Sequence, residues 1–403
     1  MGFINFQIDF SPPDISELEV DYVCQTLKSG WITTGPRTKL LEKKIAEYCG
    51  TNRAVCLNSA TSCMELCLRL FNIGPGDEVI TSAYTYTASC SPIVHVGATP
   101  ILVDTAKDSF EMDINAIEKA ITNRTKAIIP IDIAGRLCDY GKIFSVVKEK
   151  KDKFSPNSKN QELLGRILVL ADAAHSFGAK FLSNGVKSGA IADFSAFSFH
   201  AVKNLTTAEG GALTWRKIEG IEDDEIYKNL TIMSLHGQSK DALAKMRLSS
   251  WEYDIKFIGY KCNMTDVLAS IGLAQLKRYS QILKKRREII EYYCNDLKNE
   301  NITFVEHFNS KNKSSGHLYC VRLTGRDESF RNLVIAKMAE KNIATNVHYK
   351  PLPMFTAYKN LGFDINDFPN AFNVYKNEIT LPLYSALSLE NADYIVKNFK
   401  KFI

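Results

Sequence analysis

Short apolar runs alternate with stretches of helical periodicity through the first half of the chain. None of the runs shows the alternation of apolar and polar residues that marks a half-exposed strand. We therefore predict buried parallel strands with helices between them, for example at residues 62–71 and 114–121. This order is typical of an α/β fold with helices on both faces of a sheet. The predicted strands are residues 77–80, 101–103, 127–130 and 167–170.

The second half of the chain begins with a longer helical pattern. From residue 264 to residue 297 it contains no proline and no glycine after Gly272. We predict one long connecting helix there, with at most one break. Beyond it, residues 318–323 predict a strand and residues 329–341 predict a helix. These elements indicate a smaller C-terminal α+β domain.

The chain is predicted to hold two domains. Residues 1–260 would form a large domain with an N-terminal arm, and residues 261–403 would hold the connecting helix and the small domain. A mostly polar stretch at residues 149–166 is predicted to be a surface insertion in the large domain. With 403 residues, 45% of them hydrophobic and 24% charged, the chain is long enough for two such cores.

Charge and cysteine content exclude several classes of protein. The formal net charge of +5 is small and the basic residues are spread along the chain, so we expect no nucleic-acid partner. The ten cysteines form no CxxC pair and no zinc-site spacing, which predicts reduced thiols, no bound metal and a cytoplasmic protein. No apolar stretch is long enough to span a bilayer, so we expect no membrane partner.

Three local features carry candidate chemistry, and each has an ordinary structural alternative. Asp172 follows an apolar run, and a carboxylate at the end of a buried parallel strand faces the ligand crevice of such folds, although a helix N-cap also uses Asp. Lys203 precedes Gly210 and Gly211, which suits a lysine that forms a Schiff base, although most lysines are surface residues. The hydroxyl-rich residues 58–62 suit either a phosphate site or plain N-capping.

In their order along the chain and in the residues of each motif, these features resemble the DegT/DnrJ/EryC1/StrS family of sugar aminotransferases. Members of that family are pyridoxal-phosphate (PLP) enzymes of fold type I. The resemblance covers nearly the whole chain, and so many segments in the right order make it specific. The matching segments are residues 27–32, 35–36, 58–61, 85–88, 172–175, 198–203, 259–260, 269–276, 347–351 and 381–384.

The resemblance implies the fold, the cofactor and the assembly. Fold type I is an α/β fold whose large domain has a mostly parallel seven-stranded sheet flanked by helices, next to a smaller C-terminal α+β domain. The implied cofactor is PLP, with pyridoxamine phosphate (PMP) as the intermediate. Because the family builds each active site from two chains, a homodimer with shared active sites is expected.

The resemblance also assigns roles around the cofactor ring. Lys203 would hold PLP as a Schiff base and, once released, would move a proton between substrate and cofactor. Asp172 would pair with the pyridine nitrogen and keep it protonated, because an opposite charge favours the charged form. His175 matches the position of a His or Gln near the 3-oxygen of the ring. Tyr86 matches an aromatic residue that stacks on the ring, and a core tyrosine is the alternative.

Further residues match the contacts of the cofactor phosphate. They are Ser198, Thr61 and the backbone N–H of Ala60, which stands where the family usually has Gly and therefore needs a negative φ. Lys261 stands where the family often has an Asn that reaches the phosphate in the neighbouring subunit, and a lysine can also serve a phosphate. Asn263 belongs to the same variant motif, which resembles the subgroup that aminates 4-keto pentose sugars on UDP.

The substrate is expected to be a nucleotide-linked keto-sugar. Amino-acid aminotransferases of this fold commonly grip a carboxylate with a C-terminal Arg, and no Arg follows Arg331. His348 and Lys350 are available near the expected mouth of the site, and a lysine suits a diphosphate, whereas His348 could instead be a core histidine. Trp31 belongs to a loop expected to shape the sugar pocket.

The expected reaction is amino transfer from L-glutamate to the C4 or C3 ketone of the sugar, in surface-polysaccharide or glycan biosynthesis. A UDP-linked 4-keto or 4-keto-6-deoxy sugar is favoured. One alternative is a PLP- or PMP-dependent sugar dehydratase of the same fold, but those relatives replace the Schiff-base lysine by His, and Lys203 is present. The other is a non-catalytic regulatory relative, which predicts the loss of Asp172 or Lys203.

Overall fold

The structure is a computed structural model that describes residues 7–240, 252–298 and 300–403. Strands and helices alternate through the first half of the chain, as the apolar runs predict. In chain order the strands are β1 (Ala54–Leu57), β2 (Glu78–Ser82), β3 (Thr99–Val103), β4 (Thr125–Ile129), β5 (Leu168–Asp172), β6 (Lys180–Phe181), β7 (Phe194–Ser198), β8 (Gly211–Trp215), β9 (Ile302–Phe304), β10 (Asn312–Lys313), β11 (Tyr319–Leu323) and β12 (Glu378–Leu381).

Helices lie between the strands and along the C-terminal part of the chain. They are α1 (Glu17–Lys28), α2 (Pro36–Cys49), α3 (Ala60–Leu70), α4 (Ser91–His95), α5 (Ile114–Ala120), α6 (Tyr140–Glu149), α7 (Lys159–Leu164), α8 (Asp223–Ser234), α9 (Asp266–Leu297), α10 (Glu328–Ala339), α11 (Thr356–Asn360), α12 (Pro369–Tyr375) and α13 (Leu389–Phe402). Helices α3 and α5 occupy the predicted positions, and the side chains of Ser59 and Asp113 cap their amino ends. Among the described residues, none of the helices combines the length and apolar character that a bilayer crossing needs.

The central sheet has seven strands in the order β1-β8-β7-β5-β4-β2-β3. From β3 through β2, β4 and β5 to β7 the neighbours are parallel, whereas β8 runs antiparallel to β7 and β1. The four predicted strands correspond to β2, β3, β4 and β5, which are all in the parallel part. The predicted mostly parallel seven-stranded sheet is therefore confirmed.

Both faces of this sheet are buried, and this explains why its strands lack polar alternation. In β4, Ile128 packs into the hydrophobic cluster on one face and Ile129 into the cluster on the other. Helix α6 adds Val147 to the first cluster, and helix α3 adds Leu68 to the second. Apolar side chains are consequently needed at successive positions along each strand.

Helix α9 runs without interruption through 32 residues, so the break that the sequence allowed does not occur. Behind it, β9, β11 and β12 form a three-stranded antiparallel sheet in the order β12-β11-β9. A third hydrophobic cluster joins this sheet to the helices through residues such as Ile290 and Phe399. Ile8 of the N-terminal arm also packs into this cluster. The division of the chain at residue 260 stays a prediction.

The polar stretch at residues 149–166 is anchored to the large sheet and its helices. The Asn157 side-chain amide donates to Asp77 Oδ1 at 2.9 Å, just before β2. The buried Gln161 amide donates to the Phe71 carbonyl oxygen at 2.8 Å, just after α3. The stretch therefore covers the amino end of β2 and the carboxyl end of α3.

Candidate active site

The carboxyl ends of the neighbouring strands β5 and β7 border a cavity of about 340 Å³. Asp172 closes β5, Ser198 closes β7, and Lys203 lies in the loop after β7. Parallel sheets leave a ligand crevice at this edge, and the volume lies at the low end of the roughly 300–1,000 Å³ of small-molecule pockets. The predicted residues that line the cavity are Ala60, Thr61, Tyr86, Asp172, His175, Ser198 and Lys203.

The Asp172 carboxylate is almost completely buried and is held by two donors. The Ser89 hydroxyl donates to Oδ2 at 2.6 Å, and the Ala174 N–H donates to Oδ1 at 3.1 Å. Burial raises the pKa of Asp172 above its ordinary value, while these two hydrogen bonds and the charge of Lys203 work in the opposite direction. A buried carboxylate of this kind favours a cationic partner inside the cavity.

The Lys203 amine faces the same cavity as the Asp172 carboxylate. Its loop is fixed by backbone hydrogen bonds from the Lys203 N–H to the His200 oxygen at 2.9 Å and from the Thr207 N–H to the Phe199 oxygen at 2.8 Å. Burial lowers the pKa of Lys203 to about 8, against the attraction of Asp172, which raises it. The amine is therefore neutral, and able to act as a nucleophile, at lower pH than an ordinary surface lysine.

The amino end of α3 forms another wall of the cavity. The Ser59 hydroxyl accepts the Ser62 N–H at 3.1 Å, and the Cys63 N–H donates to the Ser59 oxygen, so the first two N–H groups of the helix remain at its open end. Those groups belong to Ala60 and Thr61, and they create a favourable place for a phosphate. Ala60 is not among the residues with positive φ, so its methyl group is compatible with the turn.

Glycine at position 211 lets β8 approach this helix end closely. A Cβ atom there would lie 2.4 Å from the Ser59 carbonyl carbon and 2.5 Å from the Ala60 nitrogen. These distances are far inside van der Waals contact, so a larger residue would displace the backbone that carries the free N–H groups. Gly211 thus keeps the backbone at the amino end of α3 in place, and Gly210 lines the cavity itself.

Aromatic and imidazole rings flank the remaining sides. Tyr86 is 59% exposed and lines the cavity, so it is not a core tyrosine. His175 accepts the Ala134 N–H on Nδ1 at 3.2 Å, and its Nε2 lies 3.1 Å from the Tyr349 hydroxyl. Burial lowers the pKa of His175 well below its ordinary value, so the ring is neutral with its proton on Nε2.

Tyr349 is a lining residue that was not among the predicted ones. Its segment, residues 347–351, was identified by its sequence, but His348 and Lys350 were selected from it. The side chain of His348 is turned toward Thr380, with Nδ1 at 2.9 Å from the hydroxyl, and its N–H donates to Glu378 at 2.8 Å. Lys350 is exposed, with its Nζ 5.0 Å from the centre of the Phe355 ring.

Three predicted residues come together away from the cavity. Trp31 donates from Nε1 to the Thr34 oxygen at 3.3 Å, and the Asn263 amide donates to the Thr34 hydroxyl at 2.5 Å. The Lys261 amine donates to Asn263 Oδ1 at 2.5 Å and is exposed. None of these three side chains lines the cavity of their own chain. They form a polar surface cluster, Trp31–Thr34–Lys261–Asn263.

Comparison with known proteins gives one consistent family. The chain matches the DegT/DnrJ/EryC1/StrS aminotransferase family over residues 13–400. The putative sugar aminotransferase Spr1654 from Streptococcus pneumoniae, in its PMP form, is 54% identical with a TM-score of 0.95, and the match covers 98% of each chain. The PLP form of that protein matches with 51% identity and the same TM-score and coverage.

Two relatives of known sequence agree with this result. The spore coat polysaccharide biosynthesis protein SpsC of Bacillus subtilis is 34% identical over 99% of this chain and 98% of its own length. The UDP-4-amino-4-deoxy-L-arabinose–oxoglutarate aminotransferase of Shewanella sediminis is 31% identical over 97% of each chain. Both matches cover nearly the whole of this chain.

The cavity also fits PLP on its own chemistry. The buried Asp172 carboxylate suits a protonated pyridine nitrogen, and the half-buried Lys203 amine suits an aldehyde carbon. The open helix end at Ala60 and Thr61 suits a phosphate. The chain therefore belongs to the DegT/DnrJ/EryC1/StrS family of aminotransferases and is a PLP-dependent sugar aminotransferase of fold type I.

Proposed function

We propose that this enzyme transfers an amino group from L-glutamate to the ketone of a UDP-linked 4-keto sugar. The observation that carries the proposal is the arrangement of Asp172 and Lys203 on one cavity that the open end of α3 also lines. The nucleotide sugar and the donor are supported by the name of the Shewanella sediminis relative, which specifies a UDP-linked amino sugar and oxoglutarate. The name of SpsC supports a place in polysaccharide biosynthesis.

In this proposal, the lining residues divide the work of holding the cofactor. Asp172 would hold the pyridine nitrogen, Tyr86 the face of the ring, and Ser198, Thr61 and the Ala60 N–H the phosphate. When bound, PLP supplies an aldehyde carbon for covalent attachment of amines and a ring that withdraws electrons from them. Asp172 strengthens that withdrawal because its negative charge keeps a proton on the nitrogen.

Lys203 would act twice, first as the covalent anchor and then as the group that moves a proton. Its pKa of about 8 leaves a substantial share of the amine neutral near physiological pH. A neutral amine can accept a proton from the substrate carbon and then donate it to the cofactor. The amine is half-buried at the cavity, where a bound substrate would cover it and exclude water from the proton transfer.

His175 would lie at the edge of the cofactor ring, and its hydrogen bonds fix which of its imidazole nitrogens carries the proton. Because its Nδ1 accepts the Ala134 N–H, the proton on Nε2 is directed to the Tyr349 oxygen. The hydroxyl proton of Tyr349 is then available to a group in the cavity. We therefore add Tyr349 to the proposed site, next to His175.

The polar surface cluster Trp31–Thr34–Lys261–Asn263 supports a homodimer with shared sites. Lys261 and Asn263 lie outside the cavity of their own chain, and a cationic, hydrogen-bonded group at a surface suits a phosphate presented by a second subunit. Trp31, on the same cluster, would then contact the sugar. A cytoplasmic location is part of the proposal, supported by ten cysteines without a disulfide among the described residues.

His348 and Lys350 do not line the cavity but flank its lining residue Tyr349, and we propose them as substrate contacts. With Nδ1 engaged by Thr380, His348 keeps Nε2 for a hydroxyl of the sugar. Lys350 is exposed two residues further on, where its charge is available to a diphosphate. The lack of arginine after Arg331 fits an acceptor substrate without a carboxylate.

A panel of UDP-, dTDP- and GDP-linked 4-keto sugars tests the proposal, with L-glutamate as donor and mass detection of the product. We expect an aminated UDP sugar and an equal amount of 2-oxoglutarate. A product that has lost oxygen without gaining nitrogen would favour the dehydratase alternative. No reaction with any UDP sugar, together with amination of another class, would refute the proposed nucleotide.

Lys350 offers a sharper test of the diphosphate contact. Lys350→Ala should raise KM for the nucleotide sugar about tenfold and leave KM for glutamate unchanged, because a charge-assisted hydrogen bond is worth roughly 1.5–3 kcal/mol. Lys359→Ala is the matched control, since that lysine is also exposed and lies on the nearby helix α11. Equal effects of the two variants would argue against a specific contact.

A further inference from the structure

We propose that Ser89 is a positioning residue that keeps Asp172 in its carboxylate form, as the middle member of a relay Thr85–Ser89–Asp172. The inference rests on the role of Asp172 proposed above. Ser89 does not line the cavity, so it would act through Asp172 and not by touching the cofactor.

The hydrogen bonds give the relay one direction. The Ser89 hydroxyl donates to Asp172 Oδ2 at 2.6 Å, which uses its single proton. The Thr85 hydroxyl lies 2.7 Å from the Ser89 oxygen and must therefore be the donor of that contact. Ser89 is fully buried, so water cannot replace its hydroxyl without a change in packing. Thr85 is 2% exposed and lines the cavity.

The relay compensates for the cost of burying a negative charge. Among the titratable groups around it, Lys203 favours the Asp172 carboxylate. The charge of Asp172 in turn raises the pKa of Asp132, Tyr140 and Tyr349. When PLP is bound, the Lys203 nitrogen would be committed to the aldehyde carbon of the cofactor and would no longer be a free ammonium group. The hydrogen bonds from Ser89 and from the Ala174 N–H then remain as the fixed supports of the carboxylate.

The position of Ser89 links the two contacts expected with the cofactor ring. It ends the short 3₁₀ helix Thr87–Ser89, which begins directly after Tyr86. Tyr86 faces the cavity while Ser89 turns inward to Asp172. One rigid turn after β2 thereby places an aromatic ring over the cavity and a donor behind the acid.

The proposal predicts where the proton between Asp172 and the cofactor nitrogen lies. Without the Ser89 donor, the carboxylate becomes more basic and takes a larger share of that proton, and the pyridine nitrogen becomes correspondingly more neutral. A lost hydrogen bond to a charged group corresponds to a change on the order of tenfold in this partition. The ¹⁵N chemical shift of the ring in enzyme loaded with ¹⁵N-labelled PLP measures it directly.

We expect the ¹⁵N shift of Ser89→Ala at neutral pH to move toward the value of neutral pyridine. Ser89→Thr, which keeps the hydroxyl, should have the wild-type shift. Thr85→Val should move the shift in the same direction as Ser89→Ala, but by less. An unchanged shift in Ser89→Ala, alongside a changed shift in Asp172→Asn, would overturn the relay alone. An unchanged shift in both variants would overturn the proposed role of Asp172 as well. Thermal unfolding of each variant identifies any general loss of structure. Because Thr85 also lines the cavity, a Ser89→Ala protein that does not fold is replaced by Ser89→Cys, whose thiol is only a weak donor, and the same shift decides.

Discussion

The titration of Lys203 gives a quantitative test of the site. With a pKa of about 8, half of the Lys203 amine is neutral at pH 8. An ordinary lysine with a pKa near 10.4 is only about 0.4% neutral at that pH, so the site increases the neutral fraction more than a hundredfold. The rate at which PLP attaches to the stripped enzyme should follow this fraction.

The assay is the appearance of the visible absorption band after PLP is mixed with the stripped enzyme, between about pH 6 and pH 10. We expect a midpoint near pH 8. In Asp172→Asn the midpoint should fall below that value, because the variant removes the negative charge that raises the pKa of Lys203. Free Nα-acetyl-lysine, whose side-chain amine is unperturbed, is mixed with PLP under the same conditions as the control. A rate that keeps rising toward pH 10, or a midpoint that rises in Asp172→Asn, would refute the reasoning.

Three further variants test other parts of the site and fold. Tyr349→Phe removes the acceptor of the His175 proton and should lower kcat by up to about tenfold, so unchanged kcat would exclude Tyr349 from the mechanism. Lys261→Ala should weaken PLP binding about tenfold, whereas Lys256→Ala should leave it unchanged, and equal dissociation constants would contradict a phosphate contact. Arg331→Met leaves two buried backbone carbonyls without their donor and should lower the free energy of unfolding in urea by about 3 kcal/mol. A decrease below about 1 kcal/mol would contradict a stabilising role of these two hydrogen bonds.

Much of the large domain could be predicted from local sequence, because burial on both faces of a sheet requires continuous apolar runs. Strands β4 and β5 follow directly from the runs at residues 127–130 and 167–170. The antiparallel direction of β8 could not be predicted in this way, since direction depends on the path of the chain between strands and leaves no mark on the periodicity. The uninterrupted length of α9 was uncertain for a related reason, because Gly272 lowers helix propensity but is tolerated by packing.

The site was predictable where motif and backbone position coincide. Asp172 is the last residue of β5 and Lys203 follows β7. Because the carboxyl ends of neighbouring parallel strands lie at one edge of the sheet, both residues could be placed at the cavity from the sequence. Ser89 and Tyr349 were not predicted, because their importance comes from contacts with residues distant in the chain. Ser89 looks like any small residue in a turn, and its role is visible only once its hydroxyl is found 2.6 Å from Asp172.

The central claim is that Lys203 is the residue that anchors PLP. Borohydride reduction of the PLP-loaded enzyme, followed by proteolysis and mass spectrometry, identifies the modified lysine. We expect the label on Lys203 in the wild-type protein and no label in Lys203→Ala. A label on another lysine, or a labelled Lys203→Ala protein, would contradict the account.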